Sequence, residues 1–127
     1  MVQLYRHAAT IPMKFFTDEN YKGMSNNAKL LYGLLVEHLE REIEQEDYSG
    51  YCRDYGITAR DANKDENGNI YIIYPTEELA ALLNVSKSTV TKLFKELEAA
   101  NLIERRRRGL GKPDNIYVGL AEDAKSG

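Results

Sequence analysis

The residues of this 127-residue chain that are best suited to a chemical task are its clustered cations. The segment from Ser86 to Lys112 holds eight basic and three acidic residues, so it carries a net charge of +5. Because the whole chain carries −3, the remainder carries −8. Salt screens charges beyond about 10 Å at 0.1 M, so a local basic surface on an acidic protein still attracts anions such as phosphate. The eight cations are Lys87, Lys92, Lys95, Arg105, Arg106, Arg107, Arg108 and Lys112.

No other set of residues has the spacing of a reactive site. Residues 109–113, GLGKP, lack the GxxxxGK[ST] spacing of a phosphate-binding loop and fit a turn. His7 and His38 lie far apart in sequence, and the single Cys52 belongs to no zinc-ligand pattern. The alternating glutamates of residues 40–46 fit a solvated helix end. The sequence therefore predicts no enzymatic activity, no metal and no cofactor.

Residues 76–97 have the pattern of a helix-turn-helix. Thr76 is placed to cap the first helix, and Ser86 is placed to cap the second, since hydroxyl oxygens accept from the unpaired amides of a first helical turn. Asn84 and Val85 form the turn between them. The buried face of the first helix is predicted to comprise Leu79, Leu82 and Leu83.

The second helix of this pair separates into an apolar and a polar face. At about 100° per residue, four apolar residues fall within one arc: Val90, Leu93, Phe94 and Leu97. Short hydroxyl side chains near the start of the opposite face allow close approach to base edges, and lysines further along reach phosphates. The ordinary alternative is a solvated lysine face, and this helix alone does not decide between DNA contact and a solvated face. The polar face comprises Ser88, Thr91, Lys92, Lys95 and Ala99.

Residues 102–118 predict a β-hairpin, or wing, with four consecutive arginines. Side chains alternate faces along a strand, so Arg105 and Arg107 point one way, Arg106 and Arg108 the other. Such a run is unfavourable on a short hairpin unless an anion meets it. Helix and wing together predict double-stranded DNA binding, with the helix in the major groove and the wing on the backbone or minor groove. The predicted contacts are Ser86, Lys87, Ser88, Thr89, Thr91, Lys92, Lys95, Arg105, Arg106, Arg107, Arg108 and Lys112, with Lys29 and Thr76 as weaker candidates.

The N-terminal part of the chain is predicted to supply the scaffold. Residues 1–24 are interpreted as an aromatic arm, extended or forming a short strand, and residues 25–47 as the first helix, capped by Ser25 or Asn26. The predicted anchors of the arm are Tyr5, Phe15, Phe16 and Tyr21. The apolar stripe of the helix follows the 3.6-residue period through Ala28, Leu31, Tyr32, Leu35 and Leu39.

Residues 48–69 are predicted to be a long insertion loop, either folded against the body or contacting a partner. Residues 70–74, IYIIY, are predicted to form a strand that ends at Pro75. Residues 121–127 are predicted to form a tail. The whole is one α+β domain: a winged helix-turn-helix with an N-terminal aromatic arm and a loop insertion before the first strand of the wing sheet. No apolar run reaches membrane-spanning length and no signal peptide is recognisable, so a cytoplasmic location and no membrane contact are predicted.

Two separated blocks of the chain carry a family resemblance. The first is IPMKFFTDENYKGMSNNAKLLYGLL, with Pro12, Phe15 or Phe16, Tyr21-Lys22, Ser25 and the Ala-Lys-Leu-Leu-Tyr run of residues 28–32. The second is LIERRRRGLGKPDNIYV, whose Gly-Leu-Gly-Lys-Pro wing is its most specific element. Together they resemble the N-terminal domain of RepA-type plasmid replication initiators of Gram-positive bacteria. The departure is the insertion of residues 48–69, which is longer and more acidic than the family pattern.

This resemblance implies binding to repeated sites in a replication origin, as a homodimer, to start plasmid or mobile-element replication. It also implies a longer initiator whose further C-terminal domain engages host replication proteins, so the chain is expected to be a DNA-binding fragment. A winged helix alone does not define what the DNA is for. A transcription repressor on the same fold, and a winged helix that docks an acidic protein, are therefore the alternative functions.

Overall fold

The computed structural model describes residues 8–47, 63–107, 109, 111 and 114–119, with the side chains of 42–47 excepted. These residues form five helices and an antiparallel two-stranded sheet. The predicted α+β class is confirmed, with a helix-turn-helix followed by a hairpin. The helices are α1 (Lys14–Thr17), α2 (Glu19–Lys22), α3 (Asn26–Asp47), α4 (Thr76–Leu83) and α5 (Lys87–Ala99), and the strands are β1 (Ile103–Arg106) and β2 (Asn115–Val118).

Helix α3 is the scaffold on which the helix-turn-helix rests. Ser25 caps it, since the Ser25 Oγ accepts from the Ala28 N–H at 3.1 Å, which decides between the two predicted caps. The apolar stripe is confirmed, because four of its members are buried and Leu39 is partly buried. α3 packs against both α4 and α5. The core between them and the sheet includes Leu31, Leu35, Ile72, Leu79, Leu97, Leu102 and Ile116.

The arm differs from the prediction, because residues 14–22 form two single helical turns and not a strand. The N–H of Phe15 donates to the Pro12 carbonyl at 3.0 Å, and the Asp18 side chain caps α2 by accepting from the Asn20 N–H at 2.9 Å. Four-residue helices have too few residues to show a 3.6-residue period, so the sequence pattern hid them. Phe15 and Tyr21 are buried, as predicted. Phe16 is 46% exposed, so its prediction as an anchor was wrong. Tyr5 lies outside the described residues.

The strand predicted for residues 70–74 is reduced to two isolated antiparallel bridges, from Ile70 to Lys64 and from Ile72 to Ile116 of the wing. Ile72 donates to the Ile116 carbonyl at 2.8 Å and accepts from the Ile116 N–H at 2.9 Å. The neighbouring Tyr71 N–H is taken by the Asn63 carbonyl at 3.1 Å, within a small hairpin of residues 63–71. Pro75, which has no N–H to donate, then ends the extended segment. The hydrogen-bond ladder between this segment and β2 therefore does not extend beyond Ile72, although Ile72 still adds a third backbone segment to the wing.

The helix-turn-helix has the predicted turn, with Asn84 in the left-handed conformation at φ 59° and ψ 49°. Asparagine tolerates this region better than most residues, because its short polar side chain bonds locally. Two details were wrong. α4 begins at Thr76 with Pro75 in the cap position and no side-chain cap, so Thr76 does not cap the helix. Leu82 is 58% exposed and not part of the buried face, whereas Ala80 is buried.

The hairpin of residues 63–71, part of the predicted insertion, is held by Asp65 and docks on the wing. The Asp65 Oδ1 accepts from the N–H groups of Asn67 at 2.9 Å and Asn69 at 3.0 Å, and its Oδ2 accepts from the Tyr117 hydroxyl at 3.0 Å. The Asn69 N–H makes the largest contribution to lowering the pKa of Asp65, outweighing the opposing effect of desolvation. Residues 48–62 lie outside the described residues.

Replacing Asp65 with asparagine is expected to remove an acid-sensitive part of the stability. Since the pKa of Asp65 is lowered by folding, its ionised form stabilises the folded state above its ordinary pKa of 3.8, and that contribution is lost as the pH falls through the folded-state value. The stability difference between wild type and Asp65→Asn should be constant above about pH 5 and should shrink below about pH 4. Urea unfolding across this range measures it, with Glu66→Gln as a control in the same turn. A difference that does not vary with pH would contradict the assignment.

Candidate nucleic-acid interface

The N-terminus of α5 is organised by a confirmed serine cap. The Ser86 Oγ accepts from the Thr89 N–H at 3.1 Å and also lies 2.9 Å from the Thr89 hydroxyl and 3.1 Å from the Ser88 hydroxyl. Ser86 and Thr89 therefore hold the helix start. Ser88 is exposed beside them, and one turn on, the exposed Thr91 donates back to the Lys87 carbonyl at 3.3 Å.

The two predicted faces of α5 are observed. Val90, Leu93, Phe94 and Leu97 are buried in the core. The exposed face spans an arc of about 100°, with Thr91 at one edge and Lys92 at the other. This surface, hereafter the recognition face, comprises Ser88, Thr91, Lys92, Lys95 and Ala99, all of which are exposed.

Both edges of the recognition face are bounded by glutamates that are bonded to other elements. Beyond the Lys92 edge, Glu96 accepts from the Ser25 N–H at 2.8 Å and from the Ser25 hydroxyl at 2.9 Å. Beyond the Thr91 edge, Glu98 accepts from an Arg105 Nη2 of β1 at 2.9 Å. Each carboxylate is thereby turned toward a donor on the protein. Within the part of the chain that the structure describes, Lys92 and Lys95 form no ion pair, so the face is cationic.

Arg105 does not point into solvent, which corrects its assignment as a DNA contact. It lies on the inner face of β1, where its side chain is 19% exposed and its guanidinium lies 4.6 Å from the centre of the Phe94 ring. Besides Glu98, it lies 4.0 Å from an Asp114 oxygen. The reason is the strand alternation itself: Arg105 shares its face with the buried Ile103, and that face packs against α5.

Arg106 lies on the opposite, outer face of the wing. Its Nε donates to Glu104 at 2.9 Å and its guanidinium lies 4.9 Å from the Tyr117 ring centre. The hydrogen bond to Glu104 is the main cause that raises the pKa of Arg106. Arg106 is 55% exposed, so it remains accessible from the outer side, away from α5. Its contact with DNA stays a prediction.

Arg107 is the arginine of the wing run that the structure leaves exposed just past the end of β1. It forms no ion pair with any residue in the described ranges. Arg108 and Lys112, also predicted as contacts, lie outside the described residues. Since β1 packs along the Thr91 edge of α5 through Arg105, the wing lies beside the recognition face.

The structure places the three remaining predicted DNA contacts in different environments. Lys29 is 5% exposed and its ammonium lies 4.6 Å from the centre of the Phe16 ring, so it is a buried scaffold residue and cannot reach a phosphate. Lys87 is exposed at the start of α5, and its ammonium lies 3.8 Å from an oxygen of Glu77, which is similarly exposed. Such an exposed pair is weak and leaves Lys87 available. Thr76 is partly buried at the start of α4.

Glu96 and Glu98 flank the candidate site, and the sequence analysis did not single them out. Their only signal was their place at the flanks of the polar face, just outside its arc. Acidic residues at such positions look like ordinary solvated charges. Their partners lie 71 residues before Glu96 and 7 residues after Glu98, and no pattern in one sequence connects them.

A cationic helix face beside a basic hairpin places this chain in the class of winged helix-turn-helix domains built to meet an extended anion. Within that class, the chain belongs to the family described as "Replication initiator protein A (RepA) N-terminus", whose model matches residues 8–126. The resemblance identified from the sequence is thereby confirmed.

Solved structures of similar proteins agree with this family. A "Rep-DNA complex" is 34% identical, with a TM-score of 0.65 over 94% of this chain and 82% of that one. An "N-Terminal domain of DNA binding protein" is 33% identical, with a TM-score of 0.64 over 99% of this chain and 88% of that one. An "MDR initiator" is 28% identical, with a TM-score of 0.60 over 93% and 83%. No curated protein sequence matches the chain significantly.

Proposed function

We propose that this domain binds double-stranded DNA at repeated sites in a replication origin and so helps to start plasmid or mobile-element replication. The observation that carries the proposal is the recognition face, which presents two exposed hydroxyls and two lysines without ion pairs in the described residues. Family membership and the similarity to a Rep–DNA complex support it. The family favours an initiator over the repressor and over the protein-docking module considered from the sequence.

In this proposal α5 lies in the major groove and the wing follows the backbone or the adjacent minor groove. Ser88 and Thr91, near the helix start, are the residues short enough to let the backbone approach base edges while still donating or accepting. Lys92, Lys95 and Lys87 extend to phosphates, as does Arg107 from the wing. The role is binding without catalysis.

Replacing Ser88 or Thr91 with alanine is expected to change which sequence is preferred. Each lost base contact costs about 1–3 kcal/mol for the preferred sequence and little for other duplexes, because base contacts carry sequence information and phosphate contacts do not. Selection from a random-sequence duplex pool measures the preference of each variant. Thr17→Ala, an exposed hydroxyl on α1, is the control. If both variants select the same sequence as the wild type with equal affinity, α5 does not read bases in this way.

Mapping the bound sites on the replicon that encodes the chain tests the initiator role. Binding to tandem repeats within the origin is the expected result. A single palindrome over a promoter would instead indicate repression, and a folded protein that shifts no duplex at low salt would indicate a protein partner.

We further propose a homodimer and a longer initiator whose C-terminal domain engages host replication proteins in the cytoplasm. The exposed apolar residues of the arm, Met13 at 71% and Phe16 at 46%, support a contact between copies there. Sedimentation of the chain with and without a two-repeat duplex tests the dimer, and a mass of one protomer in both would exclude it. No helix among the described residues is long and apolar enough to span a membrane.

A further inference from the structure

The wing and α5 are joined by one partly buried cluster of charges centred on Arg105. Its guanidinium donates to Glu98 of α5 at 2.9 Å, lies 4.6 Å from the Phe94 ring centre, and approaches Asp114, just before β2, at 4.0 Å. Three elements therefore meet on one side chain. Planar guanidinium groups hold such geometry better than ammonium groups, because they donate in a fixed fork and stack on aromatic rings.

We propose that the ion pair of Arg105 and Glu98, hereafter the strut, sets the angle between the wing and the recognition face, and thereby the sequence discrimination of the domain. Arg105 is in this view a positioning residue that touches no phosphate. The inference rests on the proposed DNA-binding function and deepens it. It assigns the first arginine of the run a task different from that of Arg107, which is exposed just past the end of β1.

The physical reason is preorganisation. The hydroxyls of α5 and the cations of the wing belong to different elements, and both must meet one rigid duplex at the same time. The β1–β2 ladder fixes the hairpin internally, with Arg105 paired to Ile116, but does not fix its angle to α5. Near the wing end of β1, Arg105 crosses from the strand to α5 through one charged hydrogen bond to Glu98 and its stacking on Phe94. Loss of the strut lets the wing pivot, so the two elements no longer reach their sites together.

The test compares Arg105→Met, Glu98→Gln and Arg107→Met in the 127-residue chain. Methionine keeps an apolar stem over Phe94 and removes the charged fork. Affinity is measured against salt for two duplexes: the one that the wild-type chain selects from a random pool, and a scrambled duplex of equal composition. Arg107→Met should lower the slope of log K against log salt by about 0.9 on both duplexes and leave their affinity ratio unchanged. Arg105→Met should leave the slope unchanged and reduce the ratio about tenfold or more.

Glu98→Gln gives the sharpest outcome, because two explanations predict opposite signs. If Glu98 were merely a negative charge near DNA, its neutralisation would tighten binding to both duplexes. As half of the strut, the Glu98 charge strengthens the hydrogen bond with Arg105, so its neutralisation should weaken binding to the selected duplex and reduce the ratio. Because this variant keeps every cation, it also decides the matter if urea unfolding shows that Arg105→Met is not folded.

Three results would overturn the inference: a slope lowered in Arg105→Met as much as in Arg107→Met, a Glu98→Gln variant that binds both duplexes more tightly, or an unchanged affinity ratio in a folded Glu98→Gln variant. These differ from failure of the proposed function, which would appear in the wild type itself as equal affinity for the two duplexes.

Discussion

Replacing Lys92, Lys95 and Arg107 together with alanine is expected to weaken binding to any duplex by about 10²–10³-fold at 0.1 M salt. Each phosphate contact releases condensed counterions and contributes about 0.9 to the slope of log K against log salt, so three lost contacts lower the slope by about 2.7. These three side chains are exposed and form no ion pair with described residues, so none of those residues competes with phosphate for them. Fluorescence anisotropy titrations between 50 and 300 mM salt measure the slope.

The control for this prediction carries the same loss of charge elsewhere. Lys14, Arg41 and Lys64 lie outside the helix-turn-helix and the wing strands. Replacing these three with alanine changes the net charge equally but removes no proposed phosphate contact, so the slope should stay close to that of the wild type. Equal slopes for the two triple variants would mean that only the overall charge matters, and the recognition face would lose its assigned role.

Replacing Phe15 with alanine is expected to destabilise the fold by about 3–5 kcal/mol, the usual cost of a large cavity in a core. Phe15 is fully buried, with its ring centre 5.2 Å from that of Tyr21 and 5.0 Å from that of Tyr32. Tyr32 belongs to α3, so Phe15 fastens the N-terminal segment to the scaffold helix. A loss of this size is a large share of the 5–15 kcal/mol that stabilises a typical domain. Urea unfolding at neutral pH measures it.

The adjacent Phe16 is the matched control. It has the same side chain and the same helix but is 46% exposed, with its ring against the Lys29 ammonium. Phe16→Ala is expected to cost about 1 kcal/mol or less, because little apolar surface returns to water. If the two variants were equally destabilised, the placement of the arm on α3 would be wrong.

The two phenylalanines also show where the sequence is informative and where it is not. The sequence predicted both rings of the Phe-Phe pair as anchors, and only Phe15 is buried. It did not indicate which ring is buried, since α1 is one turn long and too short for a period to appear. In α5, by contrast, thirteen residues show the period over several turns, and its buried and exposed faces were predicted residue by residue.

The arginine run shows the same distinction between local sequence patterns and tertiary packing. Alternation along a strand predicted that Arg105 and Arg106 face opposite sides, and they do. Which side faces the protein depends on how the hairpin packs on α5, and that packing rests on contacts distant in sequence. The prediction that Lys29 is exposed to DNA was wrong for the same reason. A lysine beside an apolar helix stripe is usually exposed, but here the arm covers Lys29 with Phe16.

The sequence by itself determined the helix-turn-helix, the basic hairpin and the cationic face of α5, because periodicity, caps and charge density are local properties of the chain. Only the tertiary structure decided that Arg105 is turned toward α5, that Lys29 is buried, and that Glu96 and Glu98 are bonded to other segments at the flanks of the recognition face. Those facts depend on contacts such as Ser25 with Glu96, 71 residues apart. Local patterns specify which residues can bind an anion, whereas packing between distant segments selects which of them remain available to do so.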